Sequence, residues 1–470
     1  MSADGASSDD CLLEARDKLA DLESMDDFDR QTSLQVRRDS FRPQKDEDPT
    51  TLEIQRMPRL RPSLSTRISY KLNKAGKAMH IFKDRKKKRV DESHKHFLTA
   101  HCIRDGIRYT TKNTKDSSET ANAADLGEDG FRVIKRTTLP ITTAITMDDD
   151  DEESSSTKFS TSSSFTFFNG KKGLDSKSFE FKEYAPQVFL KLRNHWGISQ
   201  ADFIQSLASE ELYLDFQSNS KSGQFFFFSD DKFFMIKTLT PQECVWLQEC
   251  LEKYYKHNMK YAETLLVKFV GMYRIKVPRR KSRRGYRKTH FVVMRSTFDT
   301  VLPMHKKFDL KGSLVGREAS ASDKKKLFPV LKDKDLENSG LKLSLGEEYC
   351  KKMMKQLEVD CELLTSLNMM DYSLLVGIFD KSRVDPSYGI DDNTLREILA
   401  QDNCLHFTDR LDEHGLVYFM GIIDFLQHYN ANKRFETFAK SVVNNSKEIS
   451  SVKPSFYAKR LVKFISKFVE

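Results

Sequence analysis

The chain has 470 residues, of which 38% are hydrophobic and 31% are charged, and its formal net charge is +9. This length supplies one large domain or two ordinary ones, and the high charge content predicts an unfolded fraction beside a folded one. No apolar run reaches the roughly 18 residues of a membrane span and no signal peptide opens the chain, so we expect any membrane contact to be peripheral. The seven cysteines form no C-x-x-C pair, which favours reduced thiols over a disulfide framework or a zinc site.

The first segment, residues 1–90, is polar and lacks sustained hydrophobic periodicity, so we predict disorder. Its basic run, KDRKKKR at 83–89, is typical of a solvated tail, of a nuclear import signal or of an attachment to anionic lipid. The sequence does not choose among these three.

The first mixed apolar pattern lies in residues 91–115, which we predict to be a strand or helix element of the folded part. An insert follows at 116–176, with the acidic run Asp148–Glu153 and a serine-rich stretch at 154–164. Such a segment cannot bury enough apolar area to offset its ordering entropy. We therefore predict a disordered insert, open to phosphorylation, and a folded core at 177–470.

The first part of the core contains a candidate phosphate-binding region. Short helices are predicted between 183 and 216, and a strand over 232–237 that ends at Lys237. A small-residue loop precedes this strand, and its backbone N–H groups could approach phosphate at Ser220, Ser222 and Gly223. A helix is predicted at 241–258. Three of its residues are candidates to pair with Lys237, and the sequence leaves the choice open: Glu243, Glu249 and Glu252.

Two strands, at 264–277 and 290–294, are joined by a strongly basic connection. Its one aromatic residue is Tyr286, which disfavours nucleic-acid binding because base stacking needs interleaved aromatic side chains. We predict that this hairpin tip contacts an anionic bilayer. The residues concerned are Arg279, Arg280, Lys281, Arg283 and Arg284.

Two carboxylates follow in the second part of the core. Apolar spacing predicts a helix over 346–367, then a loop containing Asp371 and a strand over 373–379. A second apolar strand, 417–423, ends at Asp424. With Lys237, these are the groups that phosphoryl transfer from ATP needs: Asp371 to accept the proton of the attacking hydroxyl, Asp424 to hold Mg²⁺ and the lysine to hold phosphate. The H-R-D and D-F-G motifs of protein kinases are absent, which disfavours a protein kinase.

Two further regions carry basic residues. In 308–320, Asp309, Lys311 and Arg317 flank two glycines, and two cations at this spacing can grip a phosphate group. Residues 433–443 predict a helix with one apolar face and basic residues beside it, including Lys433 and Arg434, which is typical of a segment that orders on a membrane. A closing helix is predicted over 457–469.

Together these residues resemble the phosphatidylinositol phosphate kinases. The matching segments are FEFKEYAPQVFLKLRNHWGI (179–198), FDLKGSLVGREAS (308–320), MDYSLLVGI (370–378), YFMGIIDFL (418–426) and PSFYAKR (454–460). The resemblance implies an α+β, two-lobed, distantly protein-kinase-like fold with an antiparallel N-lobe sheet, and an activation loop at about 424–456. It also implies that Lys237 binds ATP phosphate, that Asp371 is catalytic, that Asp424 binds Mg²⁺, and that Asp309, Lys311 and Arg317 face the lipid headgroup. In that family the piece at 91–115 helps to form a dimer, so we expect a homodimer at the cytoplasmic face of the plasma membrane, with a nuclear pool as the alternative place.

The family has a type I branch, which phosphorylates the 5-position of phosphatidylinositol 4-phosphate, and a type II branch, which phosphorylates the 4-position of the 5-phosphate lipid. The segments GREAS (316–320), LKDKDLENSGLKL (331–343) and MDYSLLVGI (370–378) are similar to type II, whereas PSFYAKR is similar to type I. Glu436 aligns with an activation-loop position where type I enzymes carry glutamate, so we predict a 4-phosphate 5-kinase. The alternatives are a 5-phosphate 4-kinase and, from another class, a catalytically weak membrane-binding scaffold.

Overall fold

The computed structural model describes residues 89–114, 127–141, 178–210, 212–216, 224–278, 285–300, 302–326, 329–384, 392–401, 406–407, 415–429 and 453–470. The helices are α1 Phe97–Asn113, α2 Pro186–His195, α3 Gln200–Ala208, α4 Pro241–Lys260, α5 Ala321–Lys324, α6 Asp333–Ser339, α7 Glu347–Ser366, α8 Asp392–Gln401 and α9 Pro454–Ile465. The strands are β1 Ile134–Pro140, β2 Ser178–Tyr184, β3 Leu214–Phe216, β4 Phe226–Phe228, β5 Phe234–Leu239, β6 Phe269–Pro278, β7 Tyr286–Arg295, β8 Lys306–Leu310, β9 Val330–Leu331, β10 Met369–Met370, β11 Ser373–Asp380, β12 His406–Phe407, β13 Leu416–Ile423 and β14 Gln427–His428. Among these helices, none combines the length and the apolar character that crossing a bilayer requires.

The first sheet has seven antiparallel strands in the order β1-β2-β6-β7-β5-β4-β3. Helix α1 packs against α3 and against β2 and β6. Its Gly106 lies under the ring of Phe181, where a Cβ atom would be only 2.0 Å from the ring. The glycine therefore lets the helix lie flat on this sheet, whose strand β5 carries Lys237.

The second sheet has five strands in the order β12-β13-β11-β8-β9, antiparallel except for the β8–β9 pair. Helix α7 begins and ends within a residue of the predicted bounds and buries the predicted apolar face, including Met353, Leu357, Cys361 and Leu364. Helices α7 and α9 pack on each other and on the short strand β10. The predicted strands that carry Asp371 and Asp424 are confirmed as β11 and β13.

The connector 264–268 links the two sheets. Leu266 pairs with Ile422 of β13, and the Ile422 N–H donates to the Leu265 carbonyl at 2.6 Å. The fully buried Asp360 of α7 accepts hydrogen bonds from Thr264 Oγ1 at 2.8 Å and from the Leu265 N–H at 2.7 Å. His257 of α4 reaches the same carboxylate at 2.6 Å, so one buried group joins two helices and the connector.

Three sequence predictions need correction or restriction. Strand β1 lies inside the insert predicted to be disordered and pairs along its length with β2. Residues 380–415, whose sequence on its own predicts a variable loop of moderate length, contain helix α8 and strand β12. Residues 1–88 and most of the predicted insert lie outside the described residues, so the predictions of disorder there stay predictions.

Candidate active site

Asp371 and Asp424 lie at the same end of the antiparallel strand pair β11–β13. Ser373, the first residue of β11, is the partner of Ile423, the last residue of β13. Asp371 comes two residues before β11 and Asp424 one residue after β13. Both aspartates have left-handed backbone conformations, with φ of 63° and 60°, which non-glycine residues seldom adopt outside functional or strained positions. The register therefore brings the two predicted carboxylates to one edge of the second sheet.

A short two-stranded sheet, β10 with β14, lies on the other side of these aspartates from β11 and β13. Met370 pairs with Gln427 and Met369 with His428, so β10 and β14 rejoin the two chains that diverge at the carboxylates. Trp246 of α4 stacks on His428 with ring centres 3.7 Å apart and ring planes 10° apart. Helix α4 is thus tied to the chain that follows Asp424.

Lys237 contacts Asp424 directly. Its Nζ donates to Asp424 Oδ1 at 2.6 Å, and this ion pair joins the seven-stranded sheet to the five-stranded sheet. The lysine side chain is 9% exposed and that of Asp424 50%, so the pair faces solvent on the aspartate side.

In the part of the chain that the structure describes, none of the three candidate glutamates of α4 forms an ion pair with Lys237. Glu243 forms the capping box of α4 with Thr240 and also accepts from Gln224, and Glu252 pairs with Lys256. For Glu249, the structure gives no ion pair with Lys237 among the residues it describes.

Lys311 contacts the predicted catalytic residue. Its Nζ donates to Asp371 Oδ1 at 2.7 Å and also to the Asp371 main-chain carbonyl. An ammonium has three N–H donors, so two of them hold Asp371 in this position and one is left for another acceptor. The prediction placed Lys311 on the lipid phosphate; the structure adds that it orients the carboxylate.

Arg317 bridges two carboxylates. Its Nε donates to Asp333 Oδ2 and its Nη2 to Asp309 Oδ1, both at 2.7 Å. Burial disfavours the charged guanidinium, but Asp309 and Asp333 outweigh burial, so the pKa of Arg317 lies above its ordinary value. The arginine is therefore a fixed cation beside the Lys311–Asp371 pair, and the role predicted for it and for Asp309 on the lipid headgroup stays a prediction.

Gly312 lies between these cations and contacts the last helix. Its φ is 66°, and a Cβ atom there would be 2.8 Å from Leu461 Cα and 3.0 Å from the Arg460 carbonyl oxygen of α9. The absence of a side chain at this glycine thus lets the loop backbone lie directly against helix α9. Gly316 also has a positive φ, of 65°, with open space around it.

Sequence reasoning missed three residues that hold this site together. Asp333 is fully buried, and besides Arg317 its Oδ1 accepts the N–H groups of Lys311 at 2.9 Å and Gly312 at 2.7 Å. Tyr457 of α9 donates its hydroxyl to the Tyr372 carbonyl, and burial together with Asp371 raises the pKa of Tyr457 well above its ordinary value, so it remains a donor. Arg460 lies over the Tyr457 ring at 5.1 Å. The last two belong to the PSFYAKR segment, which carried the resemblance but suggested no role.

Several predicted residues lie outside the described residues, and their roles stay predictions. They are Ser220, Ser222 and Gly223 of the phosphate loop, Glu436, Lys433 and Arg434 of the activation loop, and Arg279, Arg280, Lys281, Arg283 and Arg284 of the hairpin tip.

Comparison with known proteins decides the family. A family model described as phosphatidylinositol-4-phosphate 5-kinase matches residues 207–406 and 396–468. The chain is 36% identical over 322 residues to phosphatidylinositol 5-phosphate 4-kinase type-2 alpha of Homo sapiens, which covers 61% of this chain and 77% of that protein. It is 35% identical over 325 residues to the type-2 gamma protein of Xenopus tropicalis, with 61% and 75% covered, and 34% identical over 336 residues to the type-2 beta protein of Rattus norvegicus, with 63% and 79% covered.

The chain belongs to the phosphatidylinositol phosphate kinase family. It is therefore a phosphotransferase of the phosphoinositide kinase class, as the resemblance implied. The prediction of a 4-phosphate 5-kinase is wrong, because the relatives it matches are named 5-phosphate 4-kinases. The prediction rested on one activation-loop residue, Glu436, although three longer segments, GREAS, LKDKDLENSGLKL and MDYSLLVGI, are similar to type II.

Proposed function

We propose that this chain transfers the γ-phosphate of ATP to the 4-hydroxyl of phosphatidylinositol 5-phosphate and so makes phosphatidylinositol 4,5-bisphosphate. The observation that supports the chemistry is the pairing of Asp371 with Lys311 and of Asp424 with Lys237 at one end of the β11–β13 pair. The names of the relatives support the choice of the 5-phosphate lipid.

Asp371 is the group that accepts the proton of the attacking hydroxyl. Lys311 holds its Oδ1 and its carbonyl, while the carboxylate stays 36% exposed and open to a substrate. A carboxylate fixed in this way serves phosphoryl transfer by orienting the hydroxyl in line with the phosphorus atom. Lys311, with its remaining donor, and Arg317 supply positive charge next to the position of the lipid's own phosphate.

Asp424 and Lys237 form the nucleotide end of the site. Magnesium in kinases is held by one or two carboxylates together with phosphate oxygens and water, so a half-exposed carboxylate such as Asp424 fits this ion. When bound, the ion neutralises charge that develops on the β- and γ-phosphates.

We infer a two-lobed, distantly protein-kinase-like arrangement, with Lys237 on one sheet and the two aspartates on the other. The Lys237–Asp424 ion pair between the sheets supports this inference. Attachment to the cytoplasmic face of an anionic membrane and homodimer formation stay predictions from the resemblance.

The function is tested by phosphate transfer from Mg-ATP to vesicles that carry either phosphatidylinositol 5-phosphate or phosphatidylinositol 4-phosphate. We expect preference for the 5-phosphate lipid and a turnover lower by about 10²- to 10⁴-fold in Asp371→Asn. Asp424→Asn supplies the blank, and thermal unfolding of each variant checks that it is folded. Preference for the 4-phosphate lipid, or transfer no greater than the blank, would overturn the proposal.

A further inference from the structure

One face of the seven-stranded sheet carries cations directly opposite one another. Arg136 of β1 is the partner of Lys182 of β2, and Lys182 is the partner of Arg274 of β6. In the next row, Lys276 of β6 is the partner of Lys288 of β7. Like charges placed opposite each other on neighbouring strands destabilise a sheet. These five residues, Arg136, Lys182, Arg274, Lys276 and Lys288, are called the cationic face below.

The four strands bring few acids to balance this charge. Their only acidic residues are Glu180 and Glu183. Successive side chains of a strand point to opposite faces, so Glu180 lies among the cations and Glu183 lies on the other side. Glu180 accepts a hydrogen bond from Arg274. Five cations against one carboxylate leave the cationic face with a formal charge of +4.

Two of the cations have unused donors. Lys182 is 9% exposed, and its ammonium lies 5.1 Å from the ring centre of Tyr184, without a hydrogen bond or ion pair among the described residues. The Nε of Arg274 is buried and has no partner in the same described part of the chain. Burial and the neighbouring Arg274 and Arg136 lower the pKa of Lys182. The cationic face therefore carries an excess of positive charge that Glu180, the one carboxylate of these four strands on this side, does not balance.

The chain itself supplies an anionic segment close by. Pro140, the last residue of β1, is the partner of Ser178, the first residue of β2, so the connection between them leaves and returns beside the cationic face. This connection contains six consecutive acidic residues, Asp148–Glu153, which begin eight residues after Pro140. Eight extended residues reach about 27 Å. The four strands β1, β2, β6 and β7 span only about 15 Å, so the connection is long enough to carry the run across the width of the face.

We propose that the cationic face is the docking surface of the chain's own acidic run, Asp148–Glu153. The tether favours this occupant over a free anion, because a short connection gives an effective concentration in the millimolar range. The charges of the face and the run are opposite in sign and similar in number, and we expect the contact to weaken with salt because the face is partly open to solvent. The docking goes beyond the lipid kinase activity and does not depend on it.

The contact is tested with a carbodiimide, which couples a lysine ammonium to a carboxylate that touches it, followed by mass spectrometry of the full-length chain. We expect the peptide that contains Asp148–Glu153 to be joined to Lys276 or Lys288, and the yield to fall at about 1 M salt. Arg136→Glu should reduce the coupling, whereas Lys135→Glu, the adjacent residue on the opposite face of β1, should leave it unchanged. Coupling to Lys135 as strong as that to Lys276 and Lys288 would overturn the proposal.

A second measurement does not rely on coupling chemistry. The acidic run is neutralised by replacing its four aspartates with asparagine and its two glutamates with glutamine, and inositol hexakisphosphate is titrated calorimetrically as a probe. Removing the tethered competitor should tighten binding of the probe by roughly tenfold. The gain should disappear when Lys288→Glu is added and persist with Arg287→Glu, its neighbour on the other face.

Other occupants give different results. Equal affinity of the probe for the native and neutralised chains would mean that the run does not occupy the face. If no coupled peptide formed and phosphatidylserine vesicles bound both chains equally, the occupant would be a lipid surface. Either result would overturn the proposal.

Discussion

Lys311 contacts the proposed catalytic residue twice, because its ammonium donates to both the side-chain Oδ1 and the main-chain carbonyl oxygen of Asp371. Its replacement by methionine keeps the length of the side chain but leaves Asp371 without its partner. We expect turnover on the lipid to fall by about 10²-fold or more, since positioning of the catalytic group is lost.

The matched variant Lys311→Arg keeps the charge. Its planar guanidinium presents donors in a different geometry, so it should recover only part of the rate. If Lys311→Met kept the native turnover in a folded protein, the role assigned to this pair would be wrong. Steady-state transfer assays with both variants decide between these outcomes.

Asp333 is the buried residue on which the loop of Lys311, Gly312 and Arg317 depends. Asp333→Asn removes a charge that Arg317 needs and replaces one of two acceptor oxygens by an NH₂ group, which must face either Arg317 Nε or the two backbone N–H groups. Breaking one partner of a buried ion pair costs about 3–5 kcal/mol, so we expect a loss of this size in the free energy of unfolding measured with urea. The double variant Asp333→Asn with Arg317→Met should lose less than the sum of the single losses, because each single change already removes the Arg317–Asp333 ion pair. A strictly additive result would show that the two residues do not act as a pair.

At the scale of residues, sequence reasoning proposed Lys237, Asp371 and Asp424 as site residues because their order and residue types are those of ATP chemistry, and the structure gives each of them a partner of opposite charge. It did not find their partners. Lys237 was expected to pair with a glutamate of α4, and Asp333 was not noticed at all. A partner is chosen by contacts between elements far apart in the chain, and no spacing within the sequence records it.

At the scale of elements, Gly312 and Gly316 form a matched pair for testing the contact between the loop and α9. Both have a positive φ, but only Gly312 lies against a helix backbone. Gly316→Ala should cost about 1–2 kcal/mol for the left-handed conformation alone. Gly312→Ala should cost a further 1–3 kcal/mol or so, because α9 must shift to admit a methyl group. Urea unfolding of the two variants checks the difference, and equal losses would mean that α9 does not limit the loop.

The segment that leads into α1 supports the strand that follows the predicted phosphate loop. His96 stacks on Phe225 with ring centres 4.2 Å apart. Burial, with Lys95 and Arg287 nearby, lowers the pKa of His96 from 6.5 to about 4. Between these two values the unfolded chain binds the proton more readily than the folded chain, so stability falls as the pH falls from 6.5 towards 4.

His96→Phe keeps the stack and removes this titration. The urea midpoint should therefore drop less between pH 7.5 and pH 5 in the variant than in the native chain. Burial also lowers the pKa of His290 to about 4, so part of the dependence of stability on pH remains in both proteins. An unchanged drop in the variant would show that His96 is protonated as easily in the folded state as in the unfolded one.

The elements with strong periodicity were predicted well. Helix α7 repeats its apolar residues three or four apart over its whole length, and β11 and β13 are apolar runs bounded by polar residues. Strand β1 was missed, because Ile134–Pro140 is short, mostly exposed and surrounded by polar sequence. Its order comes from pairing with β2, a contact that local sequence does not show.

At the scale of the whole molecule, the sequence could not predict the order of strands in the two sheets or the way in which the sheets are joined. The connection depends on Asp360, a polar residue on the buried side of a helix. Four donors converge on its two oxygens: His257, Thr264, the Leu265 N–H and Gln356. The connector that it holds pairs with β13 two residues before Asp424. A change at Asp360 should therefore lower the free energy of unfolding and also weaken binding at the proposed nucleotide end of the site.

Asp360→Asn tests this connection with little change of shape. An asparagine has one acceptor oxygen, so its NH₂ group must face at least one of the four donors. An unsatisfied buried group costs about 1–3 kcal/mol, and the urea unfolding free energy should fall by at least that amount. The exposed Glu358 of the same helix gives the control Glu358→Gln, for which we expect a change within about 0.5 kcal/mol. Because the connector positions β13, the KM for ATP should rise in Asp360→Asn and should not change in the control. If stability fell and the KM stayed unchanged, the role of Asp360 would be limited to holding α4 and α7 together.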